Sequence, residues 1–380
     1  SQLAYELGSA RPAVIRSGVG PQQTLGGESY VRSLFALTVL GGHWHLPGGG
    51  FFIDACPVFH EERAANPPPS VPSPRSLDMT MLGLHLLDEA LSTPIEGLMV
   101  WNMNPAVVLP DANLVRKGLS RESLFTVVLE HFMTDTARYA DIVLPSTTQL
   151  EHFDILGAWG HHYISVNHPA LAPLGESKSH GEVMRLLAQE MQLSHPSLQS
   201  TDEEIAACAL PAGIDLEELK QAGWMKSSPA RWSPDTIQKK LSVTGTLSTP
   251  AQGISGDMLQ LLTPKSHHFL NSSFANMPRH RKAQGKPLAE IHPSDALHRQ
   301  MSHGQEVVLS NTRGKLEVTL CVTDKIRPGV ISLSGKWWSE PDNPGPVGNL
   351  LTPSIWSDEG QPAYNDTFVH VEHAITQQIR

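Results

Sequence analysis

The spacing of apolar positions changes character along the chain, and each change predicts a different kind of structure. Near the N-terminus, PAVIRS at 12–17 reads as a short strand, followed by a loop that contains Gly18, Gly20, Gly26 and Gly27. Val31, Leu34, Phe35 and Val39 then recur at close to helical spacing, which predicts a helix over 28–40 that Gly41 and Gly42 end. From residue 77 helical and strand-like runs alternate. A helix over 79–91 leads to the strand GLMVWN at 97–102 and a short helix over 112–118. The strand LFTVVLE at 124–130 leads to a helix over 134–140 and the strand DIVLP at 141–145. YISVNHPAL begins a further extended run at 163, and HGEVMRLLAQEMQ predicts a helix over 180–192. Apolar strands alternating with helices imply a parallel sheet covered on both faces. Ligands bind such sheets beyond the carboxyl ends of the strands, which here read WNMNP, LEHFMTDT and LPSTTQLEH.

Two stretches break this pattern. ANPPPSVPSPRS at 65–76 is too proline-rich to pack and reads as a linker. Residues 197–255 are polar and connective, with short helices over 202–209 and 215–222. After residue 256 the period becomes strand-like: MLQLLTP, EVVLSNTRGKLEVTLCVTD and GVISLS are separated by turns at 311–314 and 327–329. The alternation in KLEVTLCVTD predicts a twisted antiparallel sheet or a small barrel. The expected division is therefore 1–64, the linker 65–76, an α/β region 77–196, a connecting segment 197–255 and a mainly β domain 256–380.

Charge narrows the possible partners. The 380 residues carry 28 basic and 38 acidic side chains, a formal net charge of −10 without a basic stripe, which argues against a nucleic-acid surface. A bound polyanion would have to be held by backbone amides and single Lys or Arg residues. No apolar run is long enough to span a membrane, and the N-terminus lacks a signal-peptide layout, so a cytoplasmic location is expected. Cys56, Cys208 and Cys321 are far apart, which disfavours a disulfide framework, a cysteine zinc site and an iron–sulfur cluster within the chain.

Several polar groups could carry chemistry. The loop from Gly18 to Gln23 follows a strand and precedes a helix, so it is either a tight turn or a place where backbone approaches a phosphate. Asn102 and Asn104 follow the 97–102 strand, where an amide either pairs with a heterocycle edge or closes an Asx-turn. Glu130 ends the next strand and either binds hydroxyl or N–H groups of a ligand or caps the following turn. Thr263, Lys265, His267, His268, Asn271 and Ser272 crowd a loop that could hold a diphosphate or be merely hydrophilic. His43, His45, His161 and His162 invite a metal reading, although they lack strand-end or helical ligand spacing.

Taken in order, YADIVLP at 139–145 and RPGVISLSGKWW at 327–338, with VWNMNPAVVLPD, LLTPKSHHFLNSSF, IHPSDA and GNLLT, resemble the dimethyl-sulfoxide-reductase family of molybdopterin oxidoreductases. The resemblance covers nearly the whole chain. It implies an α/β fold, with a parallel-sheet dinucleotide-binding region followed by a C-terminal, mainly β, double-psi-like barrel. It also implies molybdenum or tungsten held between two molybdopterin guanine dinucleotides and two-electron chemistry on a small molecule, often oxygen-atom transfer. Carried over by position, Gly20 and Gln23 fall at a pterin-contacting glycine loop. Asn102, Asn104, Glu130, His152 and His180 fall where the family contacts one dinucleotide, although His152 and His180 replace residues that are often Lys and Asp. Thr263, Lys265, His267, Asn271 and Asn349 fall on the barrel side of the cofactor cleft.

The family's N-terminal cysteine-rich segment and its metal-ligating residue have no counterpart ahead of the glycine loop. The chain thus resembles the C-terminal half of such an enzyme, with no catalytic residue or metal ligand assigned. A fragment, a split gene product or an engineered piece is expected, as is a partner chain that supplies the N-terminal half or electrons. Two other readings remain: a non-catalytic cofactor-binding subunit, and a metal hydrolase built on His43, His45, His161 and His162.

Overall fold

The computed structural model describes residues 2–44, 46–53, 75–88, 91, 93–158, 160–227, 257–339, 345–357 and 360–374. His45, Cys56, residues 65–74 of the proline-rich stretch and residues 228–255 of the connecting segment lie outside them. Two helices, α1 (Gln2–Ser9) and α2 (Gly27–Leu40), accompany a parallel pair of strands, β1 (Val14–Arg16) and β2 (Gly50–Phe52). The helix after the glycine loop forms as expected. It starts at a residue that must be glycine, since a Cβ on Gly27 would lie 2.3 Å from the carbonyl oxygen of Gln22. The partner strand β2 begins on the last of three consecutive glycines and shows no alternation to read.

Next come α3 (Leu82–Leu87), β3 (Gly97–Trp101), α4 (Pro105–Val108), α5 (Ala112–Leu119), β4 (Phe125–Glu130) and β5 (Ile142–Pro145). The three strands form a parallel sheet in the order β3–β4–β5, with Val100 beside Val128 and Val128 beside Val143. Leu98, Val100, Val128 and Val143 share one face and feed the apolar clusters beneath α3 and α5. The opposite face is only partly covered among the described residues: Leu129 is buried there, whereas Trp101, Phe125 and Ile142 are exposed. The predicted helix 79–91 is shorter, because Asp78 accepts a bond from the Thr80 N–H and starts a tight 3₁₀ turn before α3. The predicted helix 134–140 shrinks to one turn at Ala137–Tyr139. Side chains take its backbone N–H groups, Thr136 donating to the distant Asn104 Oδ1 and Ala137 to the neighbouring Thr134 Oγ1.

Helices α3 and α5 touch through glycine. A Cβ on Gly118 would sit 2.6 Å from the Leu86 Cβ, and one on Gly83 would sit 2.8 Å from the Leu114 Cβ. Gly118→Ala should therefore destabilise the protein by about 2 kcal/mol through overpacking, despite its better helix propensity. Urea unfolding measures this, and a neutral or stabilising substitution would show that the two helices have room to separate.

The run at 163 departs from expectation. It forms β7 (Tyr163–Asn167), which pairs antiparallel with β6 (Asp154–Leu156) and β8 (Trp224–Lys226) rather than joining the parallel sheet. The sheet packs with α7 (Asp202–Ala209) and α8 (Leu216–Ala222), whereas α6 (His180–Glu190) precedes them. A reciprocal capping box between Thr201 and Glu204 starts α7, and Asp215 caps α8.

The last region is a closed six-stranded barrel. Its strands β9 (Leu259–Leu262), β10 (Leu288–Ile291), β11 (Glu306–Asn311), β12 (Gly314–Val322), β13 (Val330–Leu333) and β14 (Phe368–His373) close in the order β10–β12–β11–β14–β9–β13. The 306–322 hairpin is antiparallel as predicted, but β10–β12 and β9–β13 are parallel. The barrel core holds Leu261, Ile291, Leu309, Leu320 and Leu333, and it also takes in Val107 and Ala112 from the α/β region. Asn349, wholly buried, clamps that insertion: its Nδ2 donates to the carbonyls of Val107 at 3.1 Å and Val108 at 2.7 Å. Beside it, Arg116 lies 3.5 Å from Asp135, which accepts the backbone N–H of Ser339.

Candidate functional site

Three clefts gather most of the candidate residues. The first, about 560 Å³, lies between the glycine loop and the barrel. The loop is docked by Asn365, whose Nδ2 donates to the Gly20 carbonyl at 2.8 Å and whose N–H donates to the Gln23 carbonyl at 2.9 Å. Gly20, Gln23, Thr263, Lys265 and Asn271 line this cleft together, although the first two are some 240 residues from the others in sequence. Among the described residues no aspartate or glutamate lines it, in a chain of net charge −10.

Lys336 completes the cleft and was not among the sequence candidates. Its Nζ donates to Asn349 Oδ1 at 2.9 Å and lies 3.4 Å from Thr263 Oγ1. Both are neutral acceptors. The ammonium is surrounded by protein, with part of the residue open to the cleft, and desolvation pulls its pKa down to about 8. A lysine set between Gly335 and two tryptophans, inside the motif already singled out, was the available signal.

The second cleft, about 490 Å³, opens at the carboxyl ends of β3 and β4, as parallel-sheet geometry predicts. Asn102, Asn104 and Glu130 line it from the sheet, and Ser272 and Asn276 from the barrel side. Asn102 adopts a positive φ of 55°, turning the chain sharply out of β3. The Asn104 side chain does not cap the segment that follows it, so the Asx-turn expected as one alternative is not formed. Its Oδ1 accepts from the Thr136 N–H and hydroxyl at 3.1 and 2.7 Å, whereas its buried Nδ2 has no partner among the described residues. A buried amide donor without an acceptor is costly, and it fits a ligand that brings one. Trp338 fixes the wall between the two clefts by donating its indole N–H to the Ser272 carbonyl at 2.7 Å.

His152 and His180 line a third cleft, about 370 Å³, with Thr147, Ser179 and Asp202. His152 Nδ1 lies 2.9 Å from Thr147 Oγ1, and His180 Nε2 lies 3.3 Å from Ser146 Oγ. Burial, reinforced by His152 and His131, holds His180 below the usual histidine range. Thr147 belongs to this cleft and Thr148 to the second, so the two are neighbours along one loop. His267 is exposed and packs edge-on against His268, outside all three linings. Asn349 reaches the first cleft only through Lys336.

The described histidines of the metal reading, His43, His161 and His162, do not converge. His43 is buried and accepts the Ala13 N–H, whereas His161 and His162 are exposed. Among the described residues no three His, Cys, Asp or Glu side chains gather as metal ligands. Nor is any described helix long and apolar enough to cross a membrane.

Comparison with known proteins agrees with this geometry. Residues 3–190 match the model of the family described as Molybdopterin oxidoreductase, and residues 259–368 match that described as Molydopterin dinucleotide binding domain. The chain is 35% identical to a probable oxidoreductase, YoaE, of Bacillus subtilis, over 94% of this chain and 56% of that protein. It is 25% identical to the dimethyl sulfoxide reductase DmsA of Escherichia coli, over 98% of this chain and 54% of that protein. The chain thus spans about half the length of the curated relatives it matches. Its fold is similar to that of acetylene hydratase from Pelobacter acetylenicus, with a TM-score of 0.62 at 19% identity, over 78% of this chain and 46% of that one. With the two family matches lying on the two regions that build the clefts, the chain belongs to the dimethyl-sulfoxide-reductase family of molybdopterin oxidoreductases.

Proposed function

We propose that this chain provides binding walls for a molybdopterin guanine dinucleotide in a molybdenum-dependent oxidoreductase that transfers oxygen atoms to or from a small molecule. The observation that carries this reading is the adjacency of two complementary clefts. Among the described residues, one is lined by lysines without carboxylates, and the other holds an Asn104 donor without a partner at the carboxyl ends of parallel strands. A diphosphate ester needs such local cations and hydroxyls, and a fused heterocycle needs an amide or carboxylate edge. Gly20, Gln23, Thr263, Lys265 and Asn271 would hold the cofactor from the barrel side, and Asn102, Asn104 and Glu130 from the sheet side. His152 and His180, one loop away, would contact its far end. A bis-dinucleotide form with molybdenum or tungsten needs a second set of contacts. We assign that set, with the metal ligand and the route for electrons, to polypeptide beyond these residues.

When bound, the metal centre supplies the two-electron chemistry, and the residues described here hold, orient and shield it. The test is cofactor content after expression in cells that make the cofactor, read as molybdenum by mass spectrometry and as pterin fluorescence after oxidation. Glu130→Ala and Lys265→Ala should each weaken retention by about 1–3 kcal/mol, as expected for a charged hydrogen bond. Undiminished retention in both variants would overturn the proposed walls. The chain by itself is not expected to reoxidise reduced viologen with dimethyl sulfoxide, trimethylamine oxide or nitrate, and robust turnover by a monomer would place the metal ligand within it.

A further inference from the structure

Lys336 is the buried cation of the first cleft, and among the described residues no counter-ion faces it. Its Nζ is held at 2.9 Å by Asn349 Oδ1 and approached at 3.4 Å by Thr263 Oγ1, and neither offsets a charge. Among the described residues no carboxylate pairs with it, and none lines the cleft. The ammonium is therefore positioned rather than neutralised. Asn349, itself wholly buried, is anchored by two backbone carbonyls and cannot swing to follow a mobile lysine. On the open side, the docked glycine loop and Lys265 face the same space. Holding an uncompensated charge away from water is costly, so such a group persists where a ligand completes it.

Resting on the cofactor reading above, we propose that Lys336 is the anion-recognition residue of this cleft and pairs with a diphosphate group of the bound ligand. The complex then places two negative charges against Lys336 at the closed end and Lys265 at the mouth, with the Thr263 hydroxyl between acceptor and donor roles. Arg could not replace Lys here without loss of fit, but it would keep the charge.

Other titratable groups near this space are Tyr364, Asp366 and Lys265. Burial, with the Asp78 charge adding to it, pushes Tyr364 up to about 12, so it stays neutral below that range. Asp366 accepts the Leu25 N–H at 2.6 Å, and burial raises its pKa. It therefore acts on the acid side. Lys336 loses its charge as pH rises through about 8, which gives diphosphate binding a descending limb there.

The experiment uses the full chain freed of cofactor and titrated calorimetrically with inorganic pyrophosphate, guanosine diphosphate and uncharged guanosine. Lys336→Met, Lys336→Gln and Lys336→Arg are compared after circular dichroism confirms folding. The wild type should bind both diphosphates, Met and Gln should weaken them at least tenfold, and Arg should recover part of the loss. Guanosine should be indifferent to all three. Wild-type affinity should fall between pH 7 and 9.5 more steeply than that of Lys336→Arg, a reading that survives even if the neutral variants misfold. Equal diphosphate affinity in folded Met or Gln variants, a pH profile unchanged in Arg, or no diphosphate binding by the wild type would overturn the proposal. Cofactor retention with Lys336-independent diphosphate binding would sink this inference alone. Lys336-dependent pyrophosphate binding without cofactor retention would sink the cofactor reading alone.

Discussion

Replacing Asn349 by alanine is expected to destabilise the protein by roughly 4 kcal/mol, among the larger losses a single substitution produces. The Asn349 amide donates to two carbonyls of α4 and accepts from Lys336 at 2.9 Å. Alanine would leave two buried carbonyls and a buried ammonium short of partners, each worth about 1–3 kcal/mol when the loss is not made good by water. Asp at 349 would give Lys336 an ionic partner but offer no N–H to Val107 and Val108, so it should recover only part of the loss. Urea unfolding of the ligand-free protein checks this. A change under 1 kcal/mol in Asn349→Ala would mean that water or a backbone shift satisfies these groups.

Lys336→Met should act in the opposite direction on stability while impairing ligand binding. Burial lowers the lysine pKa from 10.5 to about 8. Below pH 8 the lysine is charged in both the folded and unfolded chain, and the full cost of burying that charge is present. Between about 8 and 10.5 the unfolded chain binds more protons than the folded one, so ligand-free stability rises with pH across that window. The shift corresponds to about 3 kcal/mol. Methionine also forfeits the bond to Asn349, so a net gain of about 2 kcal/mol at pH 7 is expected, fading toward pH 10.5. Thermal unfolding at pH 7 and 10 measures it. Equal stability of variant and wild type at both values would show that the ammonium carries no such cost.

What could be read from the sequence was what is local. Val31, Leu34, Phe35 and Val39 announce α2 because one face of one helix is enough to make the period visible. The capped helices α7 and α8 and the hairpin of β11 and β12 are legible for the same reason. Strand partners were not. Leu288–Ile291 and Phe368–His373 are short, flanked by polar residues, and become strands only because other barrel strands complete their hydrogen bonds. Likewise Tyr163–Asn167 has the apolar content of a parallel strand, and its antiparallel partners lie at 154–156 and 224–226. In the site, strand ends pointed to Asn102, Asn104 and Glu130, which do share a cleft. Depth had no local signature. Lys336 and Asn349 matter because of what surrounds them, and Asn349 proved to be a clamp within the protein.

The insertion of Val107 and Ala112 into the barrel core has a thermodynamic consequence. Wherever a boundary is drawn along the chain, the barrel and the parallel sheet do not own separate interiors. Pulling α4 out would open a void in the barrel at the same moment that it stripped Leu109 and Ala106 from the helices over the sheet. The two regions are therefore coupled in unfolding and belong to one cooperative unit, so that a perturbation on either side is felt by both walls of the clefts between them.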